Sequence, residues 1–339
     1  MKENSVFFIA EMSGNHNQSF DNAINLVEEA SKTGASAIKL QTYTADTLTM
    51  KKAYQITSSK SLWKGYDLYD LYSKASTPWE WHKEIFLYAK KKGLVCFSTP
   101  FDESSVDFLE DLNNPIYKIS SFEVNHYPLL KYIAKTKKPV IMSTGASMLS
   151  EIYEAVSILR NNGCNDLTLL KCTSNYPAKP KDANLLTLAN MKSLFNCNVG
   201  LSDHTPGIGV SVAAVALGAS VIEKHFCLSR KLGGVDSKFS LEPDEFKALV
   251  NEGRRAFAAI GKIKYLNDVD VKKYQNGKRS IYIAKDIKKG QKFTKFNLRI
   301  IRPGFGIHPR EWEDILGKKA KKDLKSGTPM NYCDFTDVD

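Results

Sequence analysis

No stretch of this 339-residue sequence stays apolar over a length that would cross a bilayer. The first apolar run, residues 6–10, reaches Glu11 after five residues, too short for the core of a secretion signal. Cysteine is sparse: Cys96, Cys164, Cys172, Cys197, Cys227 and Cys333 show no paired zinc-type spacing. Several of them fall inside apolar strand-like runs, so reduced, buried thiols in a cytoplasmic protein are expected. No glycine-rich phosphate fingerprint follows the first apolar run, which argues against the runner-up fold, a doubly wound open sheet. Histidine is scarce as well, six residues in all, so two that fall at equivalent places in the fold carry weight. The net charge is +11, and residues 278–339 hold 15 Lys and Arg against 8 Asp and Glu. Those cations are mostly lysines spread over turns, with neither an aromatic stacking platform nor an arginine-rich stripe. That argues against a nucleic-acid or membrane partner and for a solvated face that attracts anionic substrates.

What the sequence does have is eight short apolar runs, beginning near residues 6, 37, 94, 116, 139, 167, 199 and 221. Amphipathic stretches of helical period lie between them, several closed by glycine just before the next run, as at Gly34, Gly93 and Gly218. All spacings but one suit a strand-plus-helix unit, which predicts a (β/α)8 TIM barrel over residues 1–261. The long spacing after the second run inserts residues 44–76, expected as a lid or subunit contact on the active face. Residues 262–277 are polar and read as a linker. Residues 278–339 read as a small β-rich domain in which Lys285–Gly290 and Lys322–Gly327 repeat one turn pattern. A domain of that size is barely independent, so docking onto something larger is expected.

Nearly every run ends in polar or ionisable residues, which a structural strand does not need and a catalytic barrel does. His204 and His225 end consecutive runs, and neighbouring strands lie ~5 Å apart, so both imidazoles can reach one divalent ion such as manganese. Two unrelated strand-end histidines, one a base, is the alternative. Lys39 and Lys118 sit inside apolar runs, where a buried ammonium needs an anion. Protein carboxylates or snorkelling could satisfy them, but Thr99, Ser121, Ser143, Ser174 and Ser202 add hydroxyl donors expected at the same face. Lysines ringed by hydroxyls suit a phosphorylated small anion. Glu11, Glu123, Asp203 and Glu223 add carboxylates expected at the same mouth, able to orient hydroxyls or amides, move protons or ligate metal.

These segments resemble the sialic acid synthase family, phosphoenolpyruvate-dependent nonulosonic acid synthases, over nearly the whole chain. The likeness rests on Ile9-Ala10-Glu11 with Asn15-His16-Asn17, Lys39-Leu40-Gln41-Thr42, Phe97-Ser98-Thr99-Pro100-Phe101 and Tyr117-Lys118-Ile119. It continues through Ser143-Thr144-Gly145, Gly200 to Thr205 and Glu223-Lys224-His225-Phe226. The last domain, with Arg302-Pro303-Gly304, is similar to the family's antifreeze-like (SAF, β-clip) module. Residues 62–72, 77–82 and 236–241 are most similar to the pseudaminic acid synthase branch. Ser120-Ser121-Phe122-Glu123 and Ser174-Asn175-Tyr176-Pro177 depart from the motifs usual in sialic acid synthases, as does Lys224, which argues against N-acetylmannosamine as the sugar.

The resemblance implies a transferase that condenses phosphoenolpyruvate with 2,4-diacetamido-2,4,6-trideoxy-L-altrose, giving pseudaminic acid and phosphate by C–O cleavage. It implies manganese, with magnesium or cobalt as alternatives, on His204 and His225. Lys39, Thr99, Lys118, Ser121, Ser143 and Ser202 would hold phosphoenolpyruvate, with Ser174 standing where the family uses asparagine. Glu11, Gln41, Glu123, Tyr176 and Asp236 would contact the sugar, and Arg302 would reach it from the partner subunit of a domain-swapped homodimer. Glu223, Glu11 and Lys118 form the implied catalytic set, Glu223 moving protons. A legionaminic or N-acetylneuraminic acid synthase is the near alternative, and a carbohydrate-binding protein with an inert barrel is the alternative of another class.

Overall fold

The eight apolar runs form the eight parallel strands of a closed barrel in a computed structural model that describes residues 5–59 and 61–336. The strands are β1 (Phe7–Glu11), β2 (Ala37–Thr42), β3 (Val95–Pro100), β4 (Tyr117–Ile119), β5 (Val140–Ser143), β6 (Leu167–Cys172), β7 (Asn198–Asp203) and β8 (Val221–His225). They pair in sequence order, and β8 closes onto β1, which brings Glu11 beside both His225 and Lys39. Around them run α1 (Phe20–Thr33), α2 (Ala45–Leu48), α3 (Leu68–Ala75), α4 (Trp79–Lys91), α5 (Glu103–Asp111), α6 (Tyr127–Lys135), α7 (Leu149–Asn161), α8 (Thr187–Phe195), α9 (Gly209–Ala216) and α10 (Pro243–Ile260). Among the described residues no helix is long and apolar enough to cross a membrane.

Strand and helix boundaries follow local chemistry. The Ser19 hydroxyl accepts the Asn22 N–H at the start of α1, and Gly34 ends that helix at φ +82°, left-handed backbone open to glycine. Along each strand alternate side chains point to opposite faces. Ile9, Ala37, Phe97, Ile141, Leu170 and Val221 fill the barrel interior. Their outward neighbours, such as Phe8, Ile38, Met142 and Ile222, pack under the helices. The interior is crowded enough that a Cβ on Gly200 would lie 2.2 Å from the Val221 carbonyl oxygen and 2.7 Å from Leu170. The next inward position after this apolar layer is Glu11 on β1, Lys39 on β2, Thr99 on β3, Lys118 on β4, Ser143 on β5, Cys172 on β6, Ser202 on β7 and Glu223 on β8. The polar floor of the mouth thus rests on a dry plug.

The chain divides into two compact units, Met1–Gly261 and Lys262–Asp339. Within the second, residues 262–277 are more ordered than a polar linker should be. They carry α11 (Asp268–Lys272), capped by the Asn267 side chain, and Gln275 exchanges two hydrogen bonds with the Gly304 backbone. The rest holds β9 (Ser280–Ile283) paired with β10 (Leu298–Ile301), then α12 (Trp312–Ile315), and β11 (Lys319–Ala320) paired with β12 (Phe335–Thr336). Its own core centres on Ile281, Ile283, Phe293, Leu298, Ile307 and Met330. The two repeated turns lie against each other through an Ile287–Leu324 bridge. Each turn's aspartate serves the other: Asp286 pairs with Lys325 and accepts the Ser326 N–H, and Asp323 pairs with Lys288 and accepts the Lys289 N–H.

Candidate active site

A small polar chamber of about 60 Å³ lies at the carboxyl ends of the barrel strands. Lys39 Nζ lies in close contact with a Glu11 carboxylate oxygen, donates to Thr99 Oγ1 at 3.0 Å and stands 3.8 Å from Glu223. Lys118 Nζ donates to the Ile119 carbonyl at 3.1 Å and stands 3.6 Å from Glu223, which accepts the Ser202 hydroxyl at 2.9 Å. Two ammonium groups and two carboxylates therefore share a buried floor. Ser121, Ser143 and Cys172 complete the wall, and the buried Ser143 hydroxyl has no partner of its own. Gly145 donates its N–H to Ser121 Oγ at 3.0 Å, and a Cβ at Gly145 would fall 2.3 Å from Ser174 Oγ and 2.9 Å from Ser121 Oγ. Only a glycine leaves those two hydroxyls room.

His204 and His225 meet on one side of this chamber with ring centres 5.3 Å apart. His204 Nδ1 lies 3.1 Å from the Thr173 carbonyl, which fixes a proton there and leaves Nε2 as the free lone pair. Buried His225 Nδ1 has no hydrogen-bond partner and lies 3.8 Å from Asp236. A divalent ion takes histidine nitrogens at roughly 2.1 Å, so rings this close can share one. Burial, with the charges of His204, Lys39, Lys224 and Lys118, holds His225 far below its ordinary pKa, in the neutral form that a metal requires. At His204 burial opposes a positive charge, but Cys172 and the Thr173 carbonyl outweigh it and raise the pKa, so an ion there would take the place of a proton on Nε2. Among the described residues no group of three or more His, Cys, Asp or Glu is set to hold an ion. The donor set is a histidine pair with open positions, which suits an ion that also takes substrate oxygens.

A second chamber of about 400 Å³ shares Gln41, Ser120, Tyr176 and His225 with the first. The inserted residues 44–76 form much of its wall through Leu48, Tyr54, Ile56, Trp63, Leu68 and Leu71. Trp63 Nε1 donates to the Val235 carbonyl at 3.0 Å, tying the insertion to the segment after β8. Its ring also leans on Tyr176, which in turn packs against His204 with ring centres 4.4 Å apart. Several polar groups of the chamber already have partners: Ser13 donates to Asp236, Ser120 to Glu123 and Gln41 to Glu11. A small charged room thus opens onto a larger, largely apolar one.

Burial lifts Glu11 to about 7, outweighing Lys39, with Glu223 adding repulsion. Burial pushes Glu223 the same way, but Lys118, Lys39, the Ser202 hydroxyl and His204 outweigh it and hold that carboxyl below its ordinary value. Glu123 is raised from 4.5 to about 7 by burial, against Lys118 and its own backbone N–H. A raised carboxyl favours the fold fully below its unfolded value of 4.5, and that contribution is lost as pH climbs through about 7. Glu123→Gln should therefore gain on the parent as pH rises over that window, by about 2 kcal/mol at neutral pH after allowance for partial exposure. Thermal melts of both proteins check this; a gap in Tm that does not widen from pH 4.5 to 7 would refute it.

Lys39, Thr99, Lys118, Ser121, Ser143, Ser202, Glu11, Gln41, Tyr176, Glu223, His204 and His225 come together in the small chamber. Glu123 and Asp236 line the larger one. Ser174 stands one layer back, against Gly145 and Cys172, and Arg302 lies exposed on the second unit just past β10. Asp203, expected among the mouth carboxylates, is not there. It falls on the outward phase of β7, where it accepts from Lys224 at 2.8 Å, Ser211 at 2.6 Å and the Thr205 N–H at 2.8 Å. The inward positions on either side are Ser202 and His204, as period-two alternation demands. Cys172, expected only as a buried thiol, also lines the chamber, and the same two-residue count along β6 places it on the inward phase.

Residues 26–265 match the model of the NeuB family, and residues 278–334 match the SAF domain. The chain is 46% identical to a pseudaminic acid synthase of Campylobacter jejuni, over 98% of this chain and 97% of that protein. It is 41% identical to an N,N'-diacetyllegionaminic acid synthase of the same species, over 94% and 97%. Among solved structures it resembles the N-acetylneuraminic acid synthetase of Leptospira borgpetersenii, crystallised with citrate, at 32% identity. That match has a TM-score of 0.72 over 80% of this chain and 90% of that one.

Proposed function

The chain belongs to the NeuB family, and from that premise we propose that it is a pseudaminic acid synthase. It would be a transferase that joins phosphoenolpyruvate to 2,4-diacetamido-2,4,6-trideoxy-L-altrose and releases phosphate. The observation that carries the reading is the pair of joined chambers, one charged and hydroxyl-lined, the other larger and apolar. The identity to the Campylobacter pseudaminic acid synthase exceeds that to the legionaminic enzyme of the same species and supports the branch.

Lys39 and Lys118 would hold the phosphate and carboxylate of phosphoenolpyruvate, with Thr99, Ser121, Ser143 and Ser202 donating to its oxygens and Ser174 supporting Ser121 from behind. A multiply charged anion adds negative charge to a floor where two carboxylates already face two lysines, so one carboxyl must give up its charge. Glu11, poised at about 7, can do so by holding a proton. Glu11, Gln41, Glu123, Tyr176 and Asp236 would seat the sugar so that its carbonyl carbon faces the methylene of phosphoenolpyruvate. His204 and His225 would hold a divalent ion, manganese before magnesium or cobalt, which supplies Lewis-acid polarisation of the sugar carbonyl oxygen. As the new carbon–carbon bond forms, the carbonyl oxygen needs a proton, and Glu11 is the carboxyl with one to give. Water then adds at the carbon bearing phosphate. Ionised Glu223 takes one proton from that water, leaving a hydroxyl on the carbon. As the carbon–oxygen bond to phosphate breaks with its electron pair going to the phosphate, the hydroxyl becomes the keto group and its proton passes to the departing phosphate. Lys118 stabilises the charge gathering on the departing phosphate. Arg302 would enter the sugar site of a partner subunit in a domain-swapped homodimer.

Incubation with phosphoenolpyruvate, manganese and a panel of sugars tests this. Phosphate release and a pseudaminic acid mass are expected with the altrose derivative alone, and loss of both on chelation. Turnover of only N-acetylmannosamine, or of only the legionaminic precursor, would overturn the assignment.

A further inference from the structure

The apolar side of the larger chamber has a distinct origin in the chain. Strand ends supply the polar residues Gln41, Ser120 and Glu123, whereas Leu48, Ile56, Leu68 and Leu71 all come from the insertion after β2. Ile56 and Leu71 are 8% and 6% exposed, so these side chains are set against the protein and not merely draped over it. The Trp63 N–H, which could have served a ligand, is spent on the Val235 carbonyl. The insertion is itself built to hold this shape. Gln55 and Asp67 bridge its two arms, Tyr69 donates to Asp46, and the Asp67 side chain caps α3. What this wall offers a ligand is aliphatic surface together with the phenol rings of Tyr54 and Tyr72.

We propose that the inserted residues 44–76 are the specificity-determining element of the sugar site, their aliphatic wall accepting the methyl groups of a deoxygenated, N-acetylated sugar and discriminating against one that carries a hydroxyl at carbon 6. This rests on the functional reading above. The physical reason is asymmetric. A methyl group gains by leaving water for such a wall, while a hydroxyl in the same place gives up its water partners and finds aliphatic carbon. Apolar pockets reject an added hydroxyl by roughly 10- to 100-fold, and that is the expected scale here.

The test compares kcat/KM for 2,4-diacetamido-2,4,6-trideoxy-L-altrose with that for its 6-hydroxy counterpart at saturating phosphoenolpyruvate. The enzyme should favour the 6-deoxy sugar by roughly 10- to 100-fold. Ile56→Thr places a hydroxyl in the wall and removes one carbon's worth of volume, and Leu48→Gln places a carboxamide there at a partly exposed position that tolerates it. Both variants should reduce the preference to within about threefold, acting through the KM for sugar and leaving the KM for phosphoenolpyruvate in place. A preference that persists in either folded variant overturns the proposal, as does a wild-type enzyme that turns over both sugars equally. That last outcome leaves the synthase reading standing, whereas turnover of neither sugar overturns both.

Discussion

Lys118→Met should lower kcat/KM for phosphoenolpyruvate by about 10³-fold or more, with the barrel still folded. Methionine keeps the apolar stem that fills the inward position of β4 and deletes only the ammonium. Lys118 has little else to do: it makes one hydrogen bond, to the Ile119 carbonyl, and one ion pair, with Glu223 at 3.6 Å. Burial already works against its charge, and the neighbouring Lys39 adds repulsion, so its pKa lies below the ordinary value. A buried cation with spare donors is what a phosphate replaces water to meet. Without it Glu223 keeps Ser202 at 2.9 Å and Lys39 at 3.8 Å, so the fold survives while the anion loses half its cationic cradle. Steady-state phosphate release alongside circular dichroism checks this. A folded variant within tenfold of the parent would remove Lys118 from phosphate binding.

His225→Ala should abolish turnover to a similar degree and weaken manganese binding at least about 100-fold by titration calorimetry. The imidazole is buried among Tyr176, His204 and Phe239, and its Nδ1 has no protein partner to satisfy. Leaving a polar nitrogen unpaired there costs stability that only a ligand returns. Because Ala also leaves a gap beside Phe239, the companion His225→Gln holds the volume. Both should lose ion affinity together with rate. Loss of rate with unchanged ion affinity in either variant would make His225 a base and not a ligand.

The sequence exposed the barrel because a parallel strand buried on both faces writes itself as an apolar run, and a covering helix as a 3.6-residue period. It exposed the site's composition for a related reason: Lys39, Lys118 and Glu223 are charges set in apolar surroundings, where each needs a purpose. The phase of each strand was harder to read. Asp203 and Glu223 look alike as carboxylates at strand ends, yet one faces α9 and pairs with Lys224 while the other faces the chamber. A two-residue count separates the two faces of one strand, and the closed barrel shows which of them is the inside. The polar linker concealed a capped helix because five residues are too few to show a period.

By itself, then, the sequence determined the eight-fold alternation, the repeat in the second unit, and a mouth of lysines, hydroxyls and two histidines. Those are statements about spacing and composition, which local physics enforces residue by residue. The tertiary structure alone decided that the mouth is two rooms and that two lysines and two carboxylates share the floor of the smaller one. It also decided that the insertion between β2 and α4 walls the larger room. Residues 44–76 lack a period of their own, and what they become depends on the surface they find. Groups more than a hundred residues apart, such as the Trp63 indole and the Val235 carbonyl, meet only after the barrel has closed.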